Sequence, residues 1–381
     1  NNKETRHLQH LGLHDAKIIG GGDVVVYVPR HNAPSKLKAE LKDDTFCSYL
    51  FTESKTLKSI ILPKNLKSIE AGVFANCDSL TSVVLPEGLT HMEGGVFAGC
   101  TSLTSVTLPS TLKKIDGTST FMNCISLTSV SLPEDMVYFY GYTFEGCTSL
   151  KSITLPKKLD CILEYTFKGC SSLASLSIPA ATENISEGAF EGCTGVTSFH
   201  VDEANPNYST EGTVLFNKNK NKIIYALGHI DDYKVPASVD TIGASSFQDQ
   251  SDLIYLTLPE GLKIIKEAAF GNSRKIKYVY AYMREPATLE DFSFATTVMG
   301  DFIYLYVPQG CSGNYFCDPS WSRFYIQEFD VTGTDVKSAV AGDDAKEVAR
   351  YTVDGQRIKS PTRGINIVKY DDGTVKRVVV K

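Results

Sequence analysis

The sequence predicts a β-rich solenoid: short coils of about 23 residues stacked along one axis, with one parallel sheet running down a face. Three observations carry this. Proline returns at Pro63, Pro86, Pro109, Pro133, Pro156 and Pro179, and the same step resumes at Pro236 and Pro259. Phenylalanine keeps the beat at Phe51, Phe74, Phe97, Phe121, Phe144, Phe167 and Phe190, then at Phe247 and Phe270. Cysteine follows three residues behind at Cys77, Cys100, Cys124, Cys147, Cys170 and Cys193. A fixed period of this length is the mark of a repeat array, in which no coil can bury its apolar side alone and each depends on its neighbours.

The elements follow in chain order. Residues 1–50 do not fit the period and are expected to form an N-terminal cap, with Val24–Pro29 an edge strand and Ser35–Leu41 a short helix leading into the first coil. The repeat array is assigned to residues 51–328. One coil reads Leu66-x-x-Ile69-x(4)-Phe74-x-x-Cys77-x-x-Leu80-x-x-Val83-x-Leu85-Pro86. Its end alternates apolar and polar positions, which is the period of a strand. Proline then stops the ladder because it has no N–H to donate. Stacked strands lie ~4.8 Å apart, so equivalent residues sit above one another, and the phenylalanines and cysteines are expected to form continuous internal columns. The extra residue between Pro109 and Pro133 falls between Ile115 and Phe121, where a loop can absorb it.

Pro179 and Pro236 lie farther apart than two coils require. Asn205-Pro206-x-Tyr208, Gly212-Thr213-Val214-Leu215-Phe216, a polar turn at 217–221 and Ile223-Ile224-Tyr225 supply the surplus and read as a hairpin insertion over 205–226. Tyr304-Leu305-Tyr306-Val307-Pro308 with Trp321 and Phe324 reads as a closing coil over 302–328, since an open end leaves core and strand edges bare. Residues 329–381 change character: Gly333, Gly342, Asp343 and Asp344 suggest a linker. Then come the alternating runs Ala349–Val353, Ile365–Tyr370 and Val375–Val380, with Asp354-Gly355 and Asp372-Gly373 as hairpin turns, so a small antiparallel β unit is expected.

On these residues the chain resembles the BspA-like class of leucine-rich repeats, found in surface proteins of anaerobic gut and oral bacteria and of some protist parasites. The insertion and the closing coil resemble those of the same class. The resemblance implies a leucine-rich-repeat solenoid that is exported to the cell surface or beyond. Its partners would be proteins, host extracellular or on another bacterium. The C-terminal unit is similar to β modules of secreted Bacteroides-type proteins, some of which serve in sorting or anchoring; its short length suits a structural appendage equally.

Composition sets the outer limits. The 381 residues carry a net charge of −6, which gives no electrostatic footprint for nucleic acid. No apolar run approaches the ~20 residues that span a bilayer. The chain begins at Asn1 without an apolar leader, so a processed or truncated start is expected, with the signal peptide lying outside it.

Function is sought on the outward positions of the strand, four and two residues before the proline position. The first row runs Ser59, Ser82, Ser105, Ser129, Ser152, Ser175, Ser198, Asp232, Tyr255, Tyr278 and Tyr304; the second runs Ile61, Val84, Thr107, Ser131, Thr154, Ser177, His200, Lys234, Thr257, Tyr280 and Tyr306. The serines suit either a crowded face that favours small side chains or a dedicated site. Tyr255, Tyr278, Tyr280, Tyr304 and Tyr306, with His200 on the same face, are the expected partner-binding residues. Tyrosine presents an apolar ring with a polar tip, as protein and sugar contacts both require. Cross-strand aromatic pairs that merely stabilise the sheet are the competing explanation. A second group, Tyr138, Tyr140, Tyr142 and Tyr165, is expected to face outward elsewhere as surface packing.

Chemistry is thin. The periodic cysteines lack histidines in register and read as core thiols. Cys311 and Cys317, outside that column, are open to a disulfide or to free thiols. His7, His10 and His14 have helical spacing but lack the further fixed ligands a metal needs. His200 near Asp202 has no nucleophile at matching spacing. No P-loop, GxSxG, HExxH or EF-hand pattern occurs. The expectation is a binding protein with no enzymatic role, cofactor or metal. A carbohydrate-binding protein using the tyrosines, or a structural spacer, are the alternatives.

Overall fold

The computed structural model describes residues 10–12, 23–30, 33–40, 44–294, 303–330, 347–352, 357–370 and 375–380. Over residues 44–294 and 303–330 the chain winds as a leucine-rich-repeat solenoid with two parallel ladders and a side of tight turns. The front ladder carries the strands expected from the proline period. Ser59 pairs with Ser82, Ser105 with Ser129, and Ser175 with Ser198, all parallel and in register. The back ladder runs from Thr45–Phe46 through Ser68–Ile69 to His91–Met92, continues in the pairs Lys114–Ile115 with Tyr138–Phe139 and Cys161–Ile162 with Asn184–Ile185, and after the insertion runs through Thr241–Ile242, Ile264–Ile265 and Thr288–Leu289. On the turn side the N–H of Phe51 donates to Val73 O at 2.8 Å and that of Phe74 to Val96 O at 2.9 Å. Away from the insertion, neighbouring coils are thereby tied on the front, back and turn sides, which satisfies the backbone groups that an isolated coil leaves open.

The internal columns form. Phe51, Phe74, Phe97, Phe121 and Phe144 stack with centroids 5.5 Å apart at each step, and Phe167 and Phe190 extend the pile. The thiols of Cys77, Cys100, Cys124, Cys147, Cys170 and Cys193 are buried, and each donates to the carbonyl of the preceding coil's phenylalanine at 3.1–3.2 Å. The columns are not continuous along the whole array, however. Tyr225 meets Phe190 edge-on at 5.3 Å and ends the first pile; Phe247, Phe270 and Phe294 form a second. Beyond that break the cysteine position is filled by Gln250 and Ser273, and the Ser273 hydroxyl makes the thiol's bond, to Phe247 O at 2.6 Å.

The break is the insertion. It contains the expected hairpin, Val214–Asn217 with Lys222–Ala226, and a third strand, Tyr208–Glu211, on its far side. Lys222–Ala226 also pairs parallel with Thr241–Ile242, so the insert continues the back ladder of the coils that follow. Its side chains divide. Tyr208, Leu215, Tyr225 and Leu227 join the core of residues 46–201, whereas Val214, Phe216, Ile223 and Ala226 join the core that runs to Phe324. Two tyrosine hydroxyls replace the missing ladder on the first side. Tyr208 Oη accepts from Ile185 N–H at 2.9 Å. Tyr225 Oη accepts from Ala189 N–H at 3.0 Å and donates to Ser186 O at 2.8 Å.

At the far end Trp321 and Tyr315 are fully buried and close the core, bonding Ala287 O at 2.7 Å and Met283 O at 2.8 Å. The small C-terminal antiparallel sheet is present, with four strands: Glu347–Thr352, Arg357–Ile358, Gly364–Tyr370 and Val375–Val380. The linker glycines and both Asp-Gly turns lie outside the described residues.

The N-terminal expectations need correction. Val24–Pro29 lies in a strand, Asp23–Arg30, but this pairs with Ala33–Glu40 in a two-stranded sheet of its own, so Ser35–Glu40 is strand where a helix was expected. Lys, Ala, Leu and Glu favour a helix locally, yet Leu37 and Ala39 alternate with Lys36, Lys38 and Glu40, and pairing across the sheet decides. His10 is likewise not helical. It sits in a strand, His10–Gly12, that adds to the front ladder opposite Ser59, and its Nδ1 lies 2.7 Å from Ser59 Oγ. His7 and His14 fall outside the described residues. Cys311 and Cys317 are not bridged: they flank the short helix Ser312–Cys317, Cys311 buried and Cys317 exposed, both as free thiols.

Candidate functional site

The outward face of the second half of the front sheet gathers the tyrosines. Its strands are Asp232–Lys234, Tyr255–Leu258, Tyr278–Ala281, Tyr304–Pro308 and Tyr325–Phe329, all parallel. Alternation fixes the faces. Leu256, Val279 and Leu305 point inward and are buried, which turns their neighbours outward. In-register pairing then sets Tyr255 beside Tyr278, Tyr278 beside Tyr304, and Tyr280 beside Tyr306.

The rings lie face to face. Centroids are 5.1 Å apart for Tyr255–Tyr278, 5.7 Å for Tyr278–Tyr304 and 4.7 Å for Tyr280–Tyr306, with planes within 24° of parallel. All five are half-buried. Stacking covers both faces of Tyr278 and one face of each of the other four rings. Burial, reinforced by the neighbouring phenols, pushes Tyr280 and Tyr306 above the ordinary tyrosine range. Both therefore stay protonated at neutral pH, each able to donate and accept one or more hydrogen bonds. The Lys277 ammonium sits 5.7 Å from the Tyr278 ring centre, a cation–π distance.

The structure adds aromatic residues that the proline register did not reach. Tyr325, 54% exposed, meets Tyr304 edge-on at 5.3 Å. Phe329 packs edge-on against Tyr280 at 6.1 Å and Tyr282 at 5.1 Å. The strand Tyr325–Phe329 has no proline after it, so the period that found its neighbours is silent there. The run Tyr325-Ile326-Gln327-Glu328-Phe329 does not alternate apolar and polar residues, so the pattern offered no second signal.

His200 stands apart from this group. It pairs with Ser177 on the last front strand before the insertion, and the ladder resumes only at Asp232. The serine and threonine positions from Ser82 to Ser198 are exposed as expected. Beside them Thr81, Thr104, Thr128 and Thr197 each donate to the carbonyl of the residue below at 3.0–3.3 Å, a tie between coils. The second tyrosine group is held by local contacts. Tyr138 lies edge-on to Tyr140 at 5.4 Å and donates to Asp116 at 3.3 Å; Tyr142 rests on Tyr165 at 5.2 Å, with Lys168 over the Tyr165 ring at 4.6 Å. Among the described residues no cluster of three or more His, Cys, Asp or Glu side chains is placed to hold a metal, and no helix is long and apolar enough to cross a membrane.

The model of the BspA type leucine rich repeat region matches the chain in six copies, over residues 37–119, 116–223 and 213–298. The chain belongs to the BspA-type leucine-rich repeat family. No curated protein matches its sequence. Among solved structures, this BspA-type chain is similar to a leucine rich cell surface protein of Faecalibacterium prausnitzii, with 18% identity, 86% of this chain and 88% of the other covered, and a TM-score of 0.58. It is also similar to a leucine-rich repeat protein of Eubacterium ventriosum, with 18% identity, coverage of 76% and 80%, and a TM-score of 0.52. At this identity the likeness is one of fold.

Proposed function

We propose that this chain is a non-enzymatic cell-surface or secreted protein that binds a protein partner through the aromatic end of its front sheet. The observation that carries the reading is the stacked tyrosine ladder on half-buried, outward positions of adjacent strands. Tyrosine is enriched where interfaces concentrate their binding energy, because a rigid ring loses little conformational freedom and its hydroxyl finds partners at the rim. The front sheet supplies a broad rigid surface of the kind repeat proteins use for multi-contact recognition. The cell-surface description of the Faecalibacterium protein supports export, and a host extracellular protein or another bacterium's surface protein is the partner class.

A glycan is the weaker reading. Sugars lie flat on open aromatic faces, and here each ring has at least one face taken by a neighbouring ring. A panel of immobilised extracellular matrix proteins, run beside a glycan array, separates the two readings. For the protein partner found, Tyr278→Ser with Tyr280→Ser weakens binding ~100-fold or more, as the loss of two central anchors does. The circular dichroism spectrum keeps its parental form. Unchanged affinity in the folded double variant sinks the proposal.

A further inference from the structure

The tyrosine ladder is also a site for covalent chemistry, and the inference does not depend on any partner. Tyr280 and Tyr306 are the closest tyrosine pair among the described residues, with ring centres 4.7 Å apart and planes 13° from parallel. They lie directly opposite on paired strands, so the backbone holds them in register. Both remain half-exposed, open to a small diffusible oxidant. The sulfur that normally staples an exported protein is not on offer: six of the ten cysteines line the core with their thiols bonded to phenylalanine carbonyls, and all ten are free.

We propose that Tyr280 and Tyr306 form an intramolecular dityrosine cross-link when a haem peroxidase and hydrogen peroxide supply one-electron oxidation. Each phenol loses one electron and its hydroxyl proton, giving two neighbouring phenoxyl radicals. The radicals join by a carbon–carbon bond between the ring positions ortho to oxygen, the Cε atoms. The hydrogen on each joined carbon then shifts to oxygen and restores aromaticity. The two electrons and two protons reduce one hydrogen peroxide to two waters. The product lacks two hydrogen atoms and ties the strand Tyr304–Pro308, which leads into the closing coil, to the strand Tyr278–Ala281. That bond lies near the end of the array, one strand from the last front strand, Tyr325–Phe329, and the ends of repeat arrays fray first.

Trypsin makes the test direct, because Lys277, Arg284 and Arg323 separate the two rings onto peptides 278–284 and 285–323. The full-length chain is treated with peroxidase and hydrogen peroxide at low protein concentration, digested and weighed. The expected product joins these peptides with a mass two hydrogens below their sum. It disappears in Tyr280→Phe and in Tyr306→Phe, and persists in Tyr278→Phe, which removes the rival Tyr278–Tyr304 pairing. Cross-links that form only between molecules and scale with protein concentration overturn the proposal, as does a joined peptide that survives in Tyr280→Phe. Circular dichroism of each variant before oxidation confirms that the solenoid is folded. No binding measurement enters the test, so its failure leaves the partner-binding reading untouched.

Discussion

Phe144 touches ring faces on both sides, Phe121 and Phe167 at 5.5 Å each, and Phe139 edge-on at 5.8 Å. Nothing nearby can move into its place without unstacking a coil. Phe144→Ala is expected to cost ~3–5 kcal/mol, the usual range for a buried aromatic that leaves a cavity, measured by denaturant titration. The cysteine column makes a second prediction at this scale. Burial pushes the thiols of Cys77, Cys147 and Cys193 up to about 12 from an ordinary 9.0, so the fold favours the neutral form. The folded value lies above the unfolded one, so the stability they support is complete below about pH 9 and is lost as pH rises toward 12. Alkylation at pH 8 should label the exposed Cys317 quickly and the column only after denaturation. Fast labelling of Cys124 or Cys147 in the folded chain contradicts the core assignment.

At the scale of elements, strand positions and their inward and outward faces were legible from the proline and phenylalanine spacing. A period-2 pattern next to a residue that cannot donate a hydrogen bond leaves little freedom. The turns were less legible. In the first block two positions of each coil take positive φ: one holds Gly72, Gly95, Ser119, Tyr142, Tyr165 and Gly188, the other Asn76, Gly99, Asn123, Gly146, Gly169 and Gly192. The second set, just before each cysteine, was there to be read as a Gly/Asn preference but has no apolar signal. Gly188, at φ +71°, also lies against the Tyr165 ring, which an added Cβ would strike. Gly188→Ala should therefore destabilise by more than the ~1 kcal/mol that the backbone angle alone costs. The division of the insertion between two cores was not legible either. Its strands alternate apolar residues on both faces, which says that both are buried but not against what. Tyr225→Phe is expected to cost about 1–3 kcal/mol by removing the hydroxyl that bridges Ala189 N–H and Ser186 O, which are left only their own long 3.4 Å bond, read as a shift in the unfolding midpoint.

Over the whole molecule, the insertion divides the solenoid into two blocks with separate cores, joined on the first side by side chains rather than by a continued backbone ladder. Repeat arrays unfold according to the strength of their neighbour interfaces, and the weakest interface sets where cooperativity breaks. Hydrogen exchange under mild urea should show the segments 44–201 and 232–329 losing protection in separate steps, with Tyr225→Phe widening the gap; a single coincident loss contradicts the division. The proposed contact surface belongs to the second block alone, while the first offers a small hydroxylated face. Which positions face outward was legible in the sequence because strand register repeats faithfully, whereas the interruption of the front ladder between His200 and Asp232 was not. The most direct test of the partner-binding claim compares the two faces in one assay against the partner found in the protein panel. Tyr255→Glu with Tyr304→Glu should remove binding, while Ser105→Glu with Ser129→Glu should leave it intact. Loss through the serine face with retention through the tyrosine face contradicts the account.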